Sequence, residues 1–389
     1  MGNKPRTLLV ASREWVSTAR LALALTALGC EVGLVAPARH PAVLAGLALR
    51  VFRYHELIAE RCLADAIRSF APDALLACDE HALAAALALA GRDETVSALM
   101  RRSFGGEDAV LAASSRLAMA QAAEAAHVSV PRTVAVKNAA SVEHAAEELG
   151  LPLVLKADES FGGQGVRIVK TLEQARTAWR RLHGTPTVLR AVKRGFVNRE
   201  WNLMRARRAG MGREVCAQQY VGEPTGELTA AAVAANGALV ACTIFAVEHV
   251  QNSLAASSVV RVVENAEAVA MLRAMVERLH LSGFVGGDFL PDAQGRLQML
   301  EMNFRATQLV HLPLGAGHDL CAAYVREVLG LAVEDRPAAT MLDRIAVFPQ
   351  EMLRDASSEA LQSERAFHDV PWESPALLHV LSKRYKLRL

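Results

Sequence analysis

The order of apolar and polar positions predicts alternating strands and helices in the first hundred residues. An apolar run at 7–12 precedes a helical pattern at about 16–28, and a second apolar run follows at 31–36. A helical pattern at 56–70, an apolar run at 73–78 and a further helix continue the alternation. Strands that alternate with helices are typical of a parallel sheet with right-handed crossovers. The sequence therefore predicts a small open α/β domain at the N-terminus.

The segment at 151–169 predicts a strand, a glycine-rich loop and a second strand. The first apolar run ends at Lys156, and the loop contains Gly162, Gly163 and Gly165. Glycines let a loop expose backbone N–H groups, which bind phosphate oxygens. It is not a Walker loop, because no Gly-Lys-Ser/Thr sequence closes it and a strand follows. A plain hairpin turn, with Lys156 solvated at the strand end, explains the same pattern.

Two further predicted strands are joined by a turn at 292–295. Asp288 lies on the first, and Glu301 and Asn303 lie on the second. Residues i and i+2 of a strand share a face, so Glu301, Asn303 and Arg305 point the same way. Pairing about the turn brings Asp288 near Glu301. Two carboxylates and an amide oxygen suit Mg²⁺ when phosphates complete its coordination, and Arg305 is placed to meet an anion. A hairpin with a polar face in water is the alternative.

Composition narrows the class of protein. The chain has 389 residues, 52% hydrophobic and 22% charged, which is enough for two or three domains. A net charge of +2 favours neither nucleic acid nor an anionic membrane as a partner. Its six cysteines form no CxxC pair, which is typical of reduced thiols. The apolar stretches are shorter than the roughly 20 residues of a membrane span, and no secretory signal begins the chain. We expect a cytoplasmic protein.

Four motifs, in order, resemble those of the ATP-grasp superfamily, which includes biotin carboxylase, carbamoyl-phosphate synthetase and D-alanine–D-alanine ligase. The first is Ser115-Arg116 at the start of a helix, and the second is the strand ending at Lys156 with its glycine-rich loop. The third is the segment 217–222 followed by Glu227, which is similar to the hinge of the family. The fourth combines Asp288 with Glu301-Met-Asn-Phe-Arg305.

The resemblance implies a fold and its division into domains. An open parallel α/β domain would occupy residues 1–110. A two-part ATP-grasp domain would follow, with a central subdomain at 111–214 and a C-terminal subdomain at 215–389. The fold class is thus α/β (α+β).

The resemblance also implies ATP and Mg²⁺ as cofactors, with Mn²⁺ as an alternative metal. The nucleotide-binding residues would be Arg116, Lys156, Ser160, Gly162, Gly163, Gly165, Gln218, Val221 and Glu227. Arg116 and Lys156 would bind phosphates under the glycine-rich loop. Backbone groups of Gln218 and Val221 would bind adenine, and Glu227 the ribose. The metal ligands would be Asp288, Glu301 and Asn303, and the catalytic residues Arg305 and Lys156. Gln218-Gln219 departs from the glutamate that is common at this hinge, although its adenine contact is mainly through the backbone.

Most of the superfamily shares attack of a carboxylate on the γ-phosphate of ATP, followed by displacement of phosphate from the acyl phosphate. This favours an ADP-forming ligase that joins a small-molecule carboxylate to an amine. Carboxylation is disfavoured, because Leu309 stands where biotin carboxylase has a glutamate base. The alternatives are carbamoyl-phosphate or purine-pathway chemistry, another phosphoryl transfer, and a non-catalytic ATP-binding module. The substrates and the oligomeric state stay open, a homodimer included.

A basic stretch at 184–214 lies between the glycine-rich hairpin and the hinge. We predict that it forms part of a mobile cover over the nucleotide cleft, and a solvated surface is the alternative. Nucleic acid is disfavoured as a partner, because Phe196 and Trp201 are too few for stacking platforms.

Overall fold

Three β-sheets with helices packed against them make up the described part of the chain. The computed structural model describes residues 4–48, 50–158, 165–184, 214–223, 225–251, 256–362 and 364–387. Within these ranges no helix is long and apolar enough to cross a membrane. The predicted cover at 184–214 falls outside the described residues except at its two ends.

The N-terminal domain is built on four parallel strands in the order β3-β2-β1-β4. The strands are β1 (Arg6–Val10), β2 (Glu31–Ala36), β3 (Arg50–Arg53) and β4 (Ala74–Ala77). The helices are α1 (Val16–Ala27), α2 (Pro41–Leu44), α3 (Ala59–Phe70), α4 (Glu80–Ala90), α5 (Glu94–Ser103) and α6 (Glu107–Ser114), with a 3₁₀ helix at Glu56–Ile58. Strands β1, β2 and β4 are almost fully buried, as apolar runs covered on both faces should be. The predicted open parallel α/β domain is confirmed.

The second sheet is antiparallel, in the order β5-β8-β6-β7. Its strands are β5 (Thr133–Ala135), β6 (Leu153–Ala157), β7 (Val166–Val169) and β8 (Val215–Gln219), and its helices are α7 (Arg116–Ala125), α8 (Ala139–Leu149) and α9 (Leu172–His183). β6 and β7 pair directly, with Lys156 opposite Val166, so the predicted strand–loop–strand hairpin is present. β8 begins just after the predicted boundary at 214 and pairs with β6. The predicted domain boundaries stay predictions.

Seven strands form the third sheet, in the order β13-β12-β9-β10-β11-β14-β15. These are β9 (Leu228–Ala235), β10 (Ala238–Val250), β11 (Ser257–Val263), β12 (Gly283–Pro291), β13 (Leu297–Asn303), β14 (Arg344–Ala346) and β15 (Phe367–His368). The helices are α10 (Ala266–Arg278), α11 (Leu320–Glu327), α12 (Gln350–Arg354) and α13 (Pro375–Tyr385), with a 3₁₀ helix at Glu359–Leu361. The predicted turn at 292–295 is closed by a hydrogen bond from Gly295 N to Asp292 O of 2.8 Å.

The N-terminal domain and the seven-stranded sheet share one hydrophobic core, to which Phe104 and Phe304 both belong. Their ring centroids lie 6.2 Å apart. The backbone joins the two parts as well, because Ser282 N donates to Phe104 O over 2.9 Å. At the next residue, Gly283 has φ +89°, and a Cβ there would lie 2.5 Å from Ser103 O. This close contact requires glycine and fixes the N-terminal domain against the cleft described below.

Candidate active site

Lys156 lies at the bottom of a cleft between the second and third sheets. It is the fourth residue of β6 and is only 7% exposed. Its Nζ donates to Leu300 O on β13 over 3.1 Å. Burial lowers the pKa of the ammonium group, and the nearby Glu301 carboxylate opposes that effect. The reading of Lys156 as a solvated strand end is therefore wrong, since the side chain crosses the cleft to the other sheet.

Arg116 occupies the first turn of α7, where Ser115 caps the helix by accepting from Ala118 N. Its Nη1 lies 3.0 Å from Glu301 Oε1, and its Nε lies 3.3 Å from Ala157 O. Its backbone N donates to Asp158 Oδ1 over 3.0 Å. Asp158 thus holds the start of α7 against the end of β6. The two predicted phosphate-binding cations, Arg116 and Lys156, therefore lie at the same end of the cleft.

The two predicted metal carboxylates face each other on neighbouring strands. Asp288 on β12 is the register partner of Glu301 on β13, so the predicted pairing is present. Thr229 Oγ1 donates to Asp288 Oδ1 over 2.8 Å, and Asn303 Nδ2 donates to Asp288 Oδ2 over 3.1 Å. These contacts hold the Asp288 carboxylate in one orientation within the cleft.

The charges on this carboxylate pair are compensated unequally. Burial raises the pKa of Asp288, and the Glu301 carboxylate raises it further. Burial also opposes ionisation of Glu301, but Arg116 and Lys156 outweigh it and lower its pKa. Asp288 has neutral hydrogen-bond donors as its direct partners, so a divalent cation would relieve the repulsion between the two carboxylates.

The donor set fits Mg²⁺ in its chemistry. Hard oxygen ligands from one or two carboxylates, completed by phosphate oxygens, are what Mg²⁺ prefers. Across the described residues, no group of three or more His, Cys, Asp or Glu side chains forms a ready-made metal cluster. The predicted set Asp288, Glu301 and Asn303 contains two carboxylates and one amide.

Arg305 follows β13 and turns toward the N-terminal domain. Its Nε and Nη2 donate to the same oxygen, Glu80 Oε1, over 2.8 and 2.5 Å. Its Nη1 donates to Ala306 O over 3.2 Å, and its guanidinium lies 5.3 Å from the centre of the Trp15 ring. The anion that Arg305 meets in the structure is thus Glu80, at the first residue of α4.

The predicted hinge lies at the end of β8. The Gln218 side chain is buried and donates to Thr133 Oγ1 over 3.2 Å. Val221 lines the cleft beyond it. Glu227 lines the same cleft, where burial, and next Asp288, raise the pKa of its carboxyl group. Gly165 is buried directly before β7, and its carbonyl oxygen accepts from Ala157 N over 2.9 Å. The other predicted loop residues, Ser160, Gly162 and Gly163, lie outside the described residues.

One cavity of about 660 Å³ connects these groups. Its lining includes the predicted residues Arg116, Lys156, Gln218, Val221, Glu227, Asp288, Glu301, Asn303 and Arg305. Small-molecule sites commonly have volumes of roughly 300–1,000 Å³. Four separate regions of the sequence therefore converge on one ligand-sized space.

A family model, the ATP-grasp domain, matches residues 121–314. The chain belongs to the ATP-grasp superfamily. A comparison with curated protein sequences gave no significant match.

Solved structures give the same ATP-grasp assignment for the fold. One similar structure is N5-carboxyaminoimidazole synthetase from Staphylococcus aureus with ADP, 14% identical over 85% of this chain and 79% of that one, with a TM-score of 0.59. Another is carboxyaminoimidazole ribonucleotide synthase from Aspergillus clavatus with ATP. It is 15% identical, the match covers 85% of this chain and 78% of that one, and the TM-score is 0.63. A third is the biotin carboxylase domain of Hydrogenobacter thermophilus 2-oxoglutarate carboxylase. It is 15% identical, the match covers 86% of this chain and 71% of that one, and the TM-score is 0.60. At these identities the likeness concerns the fold.

Several residues at or beside this cavity gave little or no signal in the sequence. Glu80 could have been found, because it lies three residues after the end of β4, and ligands bind at the carboxyl ends of parallel strands. Asp158 lies two residues after Lys156, and its bond to the start of α7 could not be predicted from that position. Thr229 and Trp15 gave no signal, since only the folded sheets and domains bring them to Asp288 and Arg305.

Proposed function

We propose that this protein is an ATP-dependent ligase that activates a small-molecule carboxylate as an acyl phosphate and joins it to an amine, releasing ADP and phosphate. The observation that supports this is the meeting of Lys156 and Arg116 with the Asp288–Glu301 pair on one cavity. Enzymes with similar folds include one named phosphoribosylglycinamide synthetase, 16% identical with a TM-score of 0.56.

Each group has a task in this reaction. Lys156 and Arg116 would neutralise phosphate oxygens and hold the transferring phosphoryl group in line with the attacking carboxylate. The backbone from Gln218 to Val221 would hold the adenine, and Glu227 the ribose hydroxyl groups. The glycine-rich loop would close over the phosphates through Ser160, Gly162, Gly163 and Gly165. Arg305, which also lines the cavity, would lie beside the acyl phosphate.

Asp288, Glu301 and Asn303 would hold Mg²⁺, or Mn²⁺ in its place, with phosphate oxygens as the remaining ligands. The metal would supply charge neutralisation at the phosphates. The protein's own contribution is to fix the two carboxylates, which Thr229 and the β12–β13 register do.

The residues near Arg305 disfavour a carboxylation that uses a glutamate as the base. Leu309 lines the cavity at the position where biotin carboxylase has its glutamate base, and a leucine side chain cannot accept a proton. His311, two residues further on, is buried and bonded to Asp369 over 3.0 Å, away from the cavity lining. A carboxylate–amine ligase is therefore favoured over a biotin-carboxylase-type reaction.

The test is turnover of the purified protein with Mg-ATP and pooled carboxylates and amines. We expect substrate-dependent release of ADP and phosphate in equal amounts, with a condensed product found by mass spectrometry. ADP with a phosphorylated product and no free phosphate would indicate a phosphoryl transferase. Tight ATP binding without turnover in any pool would indicate a non-catalytic module.

Glu301→Gln should abolish turnover, because it removes the negative charge of a proposed metal ligand. Glu148→Gln is the matched control, since Glu148 pairs with Arg132 outside the cavity. Retained activity in Glu301→Gln would refute the role of Glu301. We also predict a cytoplasmic protein, and light scattering of the purified protein tests whether it is a homodimer.

A further inference from the structure

The charged side chains that line the cavity come from a limited part of its wall. Among the described lining residues they are Glu80, Arg116, Lys156, Glu227, Asp288, Glu301 and Arg305. All but Glu80 are predicted site residues, and Glu80 is bonded to Arg305. The described lining residues from 245–257 and 307–353 are, by contrast, all uncharged. The cavity therefore has a charged part and an uncharged part.

Strand register shows how the two parts are related. Phe245 on β10 is the register partner of Thr229 on β9, and Thr229 is the partner of Asp288 on β12. Neighbouring strands lie about 4.8 Å apart, so Phe245 lies about 10 Å from Asp288 across the sheet. Lys156, in contrast, contacts β13 at the edge of the sheet. The cavity thus runs from a charged end over β12 and β13 to an uncharged end over β10 and β11.

Contacts around Ser257, the first residue of β11, gather the walls of the uncharged end. Ser257 is the register partner of Val250 on β10, and its carbonyl oxygen accepts from Gln308 Nε2 over 2.8 Å. The next carbonyl, Ser258 O, accepts from Val347 N over 2.8 Å, shortly before α12 begins. Strands β10 and β11, the loop after β13 and the start of α12 therefore surround one space.

The side chains around this space are mainly apolar. We call it the apolar lobe, and its apolar lining residues are Phe245, Val247, Val250, Leu309, Pro349 and Leu353. Leu353 is 41% exposed, so the lobe opens to solvent there. A carboxylate or phosphate in the lobe would leave water without gaining a cation from the described lining, which is unfavourable. An apolar group is stabilised there, because its surface is removed from water.

We propose that the apolar lobe binds an uncharged hydrocarbon tail of the carboxylate substrate. The substrate is then a monocarboxylic acid with an alkyl or aryl tail, and not a dicarboxylic or phosphorylated compound. The inference rests on the proposed function in one respect, that this carboxylate is the group activated by ATP. Its carboxyl group belongs at the charged end, and the loop from Arg305 to Leu309 lines the cavity from there into the lobe.

Binding can be tested without turnover, using pairs of acids that differ at the far end of the tail. The pairs are hexanoate with adipate, and 3-phenylpropionate with 3-(4-carboxyphenyl)propionate, measured by ligand-observed NMR on the full chain at pH 7 with Mg-ADP. We expect the monocarboxylate of at least one pair to bind about tenfold more tightly. Butyrate should bind about tenfold more weakly than hexanoate, because each buried CH₂ contributes about fourfold. Equal or tighter binding of the dicarboxylate in both pairs would overturn the proposal.

A charge at the mouth of the lobe should reverse this preference. Leu353→Lys should weaken hexanoate binding about tenfold and strengthen adipate binding, since its ammonium group can pair with the second carboxylate. Affinity for Mg-ADP should stay within threefold. Leu342→Lys is the matched control, because Leu342 is 39% exposed and lies outside the cavity lining. The same preference in both variants would overturn the assignment of the lobe.

Val250→Thr tests the strand side of the lobe, since threonine keeps the branched shape that suits a strand and adds a hydroxyl group. Hexanoate binding should weaken severalfold while adipate binding stays unchanged. Val262→Thr on β11 is the control, because Val262 lies outside the cavity lining. Unchanged hexanoate binding in Val250→Thr would count against the lobe.

A pair of amines separates the two substrates of the proposed ligase. If hexylamine bound more tightly than 1,6-diaminohexane while neither acid pair showed a preference, the lobe would hold the nucleophile, and its assignment to the carboxylate would be overturned. Failure of the ligase proposal looks different, because ADP release would be absent with every carboxylate while the tail-dependent binding persisted.

Discussion

Arg116 Nη1 lies 3.0 Å from Glu301 Oε1, so a proposed phosphate ligand is bonded directly to a proposed metal ligand. The contact joins α7 to β13 across the cleft. Because each residue is the charge partner of the other, nucleotide phosphate and metal cannot engage them independently. Substitution of Arg116 should therefore affect both ATP and metal dependence.

Arg116→Gln is expected to raise the KM for ATP about tenfold or more, since a charge-assisted hydrogen bond contributes roughly 1.5–3 kcal/mol. ADP release at varied ATP and fixed Mg²⁺ measures the effect. The control is Arg132→Gln, because Arg132 is exposed and pairs only with Glu148 among the described ion pairs. An ATP dependence equal in both variants would contradict the assignment of Arg116.

Thr229→Val should raise the Mg²⁺ concentration needed for half-maximal turnover, by a factor of about 10–100. The physical reason is the 2.8 Å bond from Thr229 Oγ1 that orients Asp288. Thr229→Ser keeps this donor and should restore the wild-type metal dependence. Thr243→Val is the control, since Thr243 lies on neighbouring β10 and contacts His318 instead. If Thr229→Val titrates with Mg²⁺ like that control, Thr229 does not support the metal site.

The sequence predicted the parts of this fold whose contacts are local. The β6–β7 hairpin, the β12–β13 hairpin and the cap at Ser115 each depend on a short run of residues, and all three are present. Strand β3 was missed because it is a short edge strand with exposed arginines at both ends, which gives no apolar run.

Contacts between segments that are distant in the sequence could not be predicted from the sequence alone. The bond between Glu80 and Arg305 joins residues 225 positions apart, and only the packed domains bring them together. The sequence suggested an anion partner for Arg305, and the partner in the structure is the carboxylate of Glu80. Because such contacts form only in the folded protein, the sequence did not predict how a substrate would be recognised.

Asp369→Asn should lower the free energy of unfolding by about 3 kcal/mol, because it breaks a buried ion pair. Asp369 is 2% exposed and accepts from Arg20 Nη2 over 2.7 Å and from His311 Nε2 over 3.0 Å. It thereby ties the segment that follows β15 to α1. Urea unfolding measures the loss. Glu373→Gln should lose under about 1 kcal/mol, since Glu373 is exposed and lies 3.7 Å from Arg20. Equal small losses would show that the Asp369 pair contributes little.

His40 should make the protein less stable as the pH falls below neutral. The side chain is fully buried, and its Nδ1 accepts from Ala42 N over 3.1 Å to cap α2. Burial, with a further contribution from Arg384, lowers the pKa of His40 to about 3. The unfolded chain has a histidine pKa near 6.5, so between these values the unfolded state binds more protons. The stability that neutral His40 provides is complete above about pH 6.5 and is lost at about 1.4 kcal/mol per pH unit below it.

His40→Asn separates this effect from other acid-sensitive groups. Asparagine keeps an oxygen that can accept from the start of α2 but does not titrate. Urea unfolding at pH 7, 6 and 5 should therefore give a shallower pH dependence in the variant, by about 1.4 kcal/mol per unit below pH 6.5. The same substitution at exposed His55 is the matched control. Parallel curves for wild type and His40→Asn would mean that His40 does not remain neutral in the folded protein.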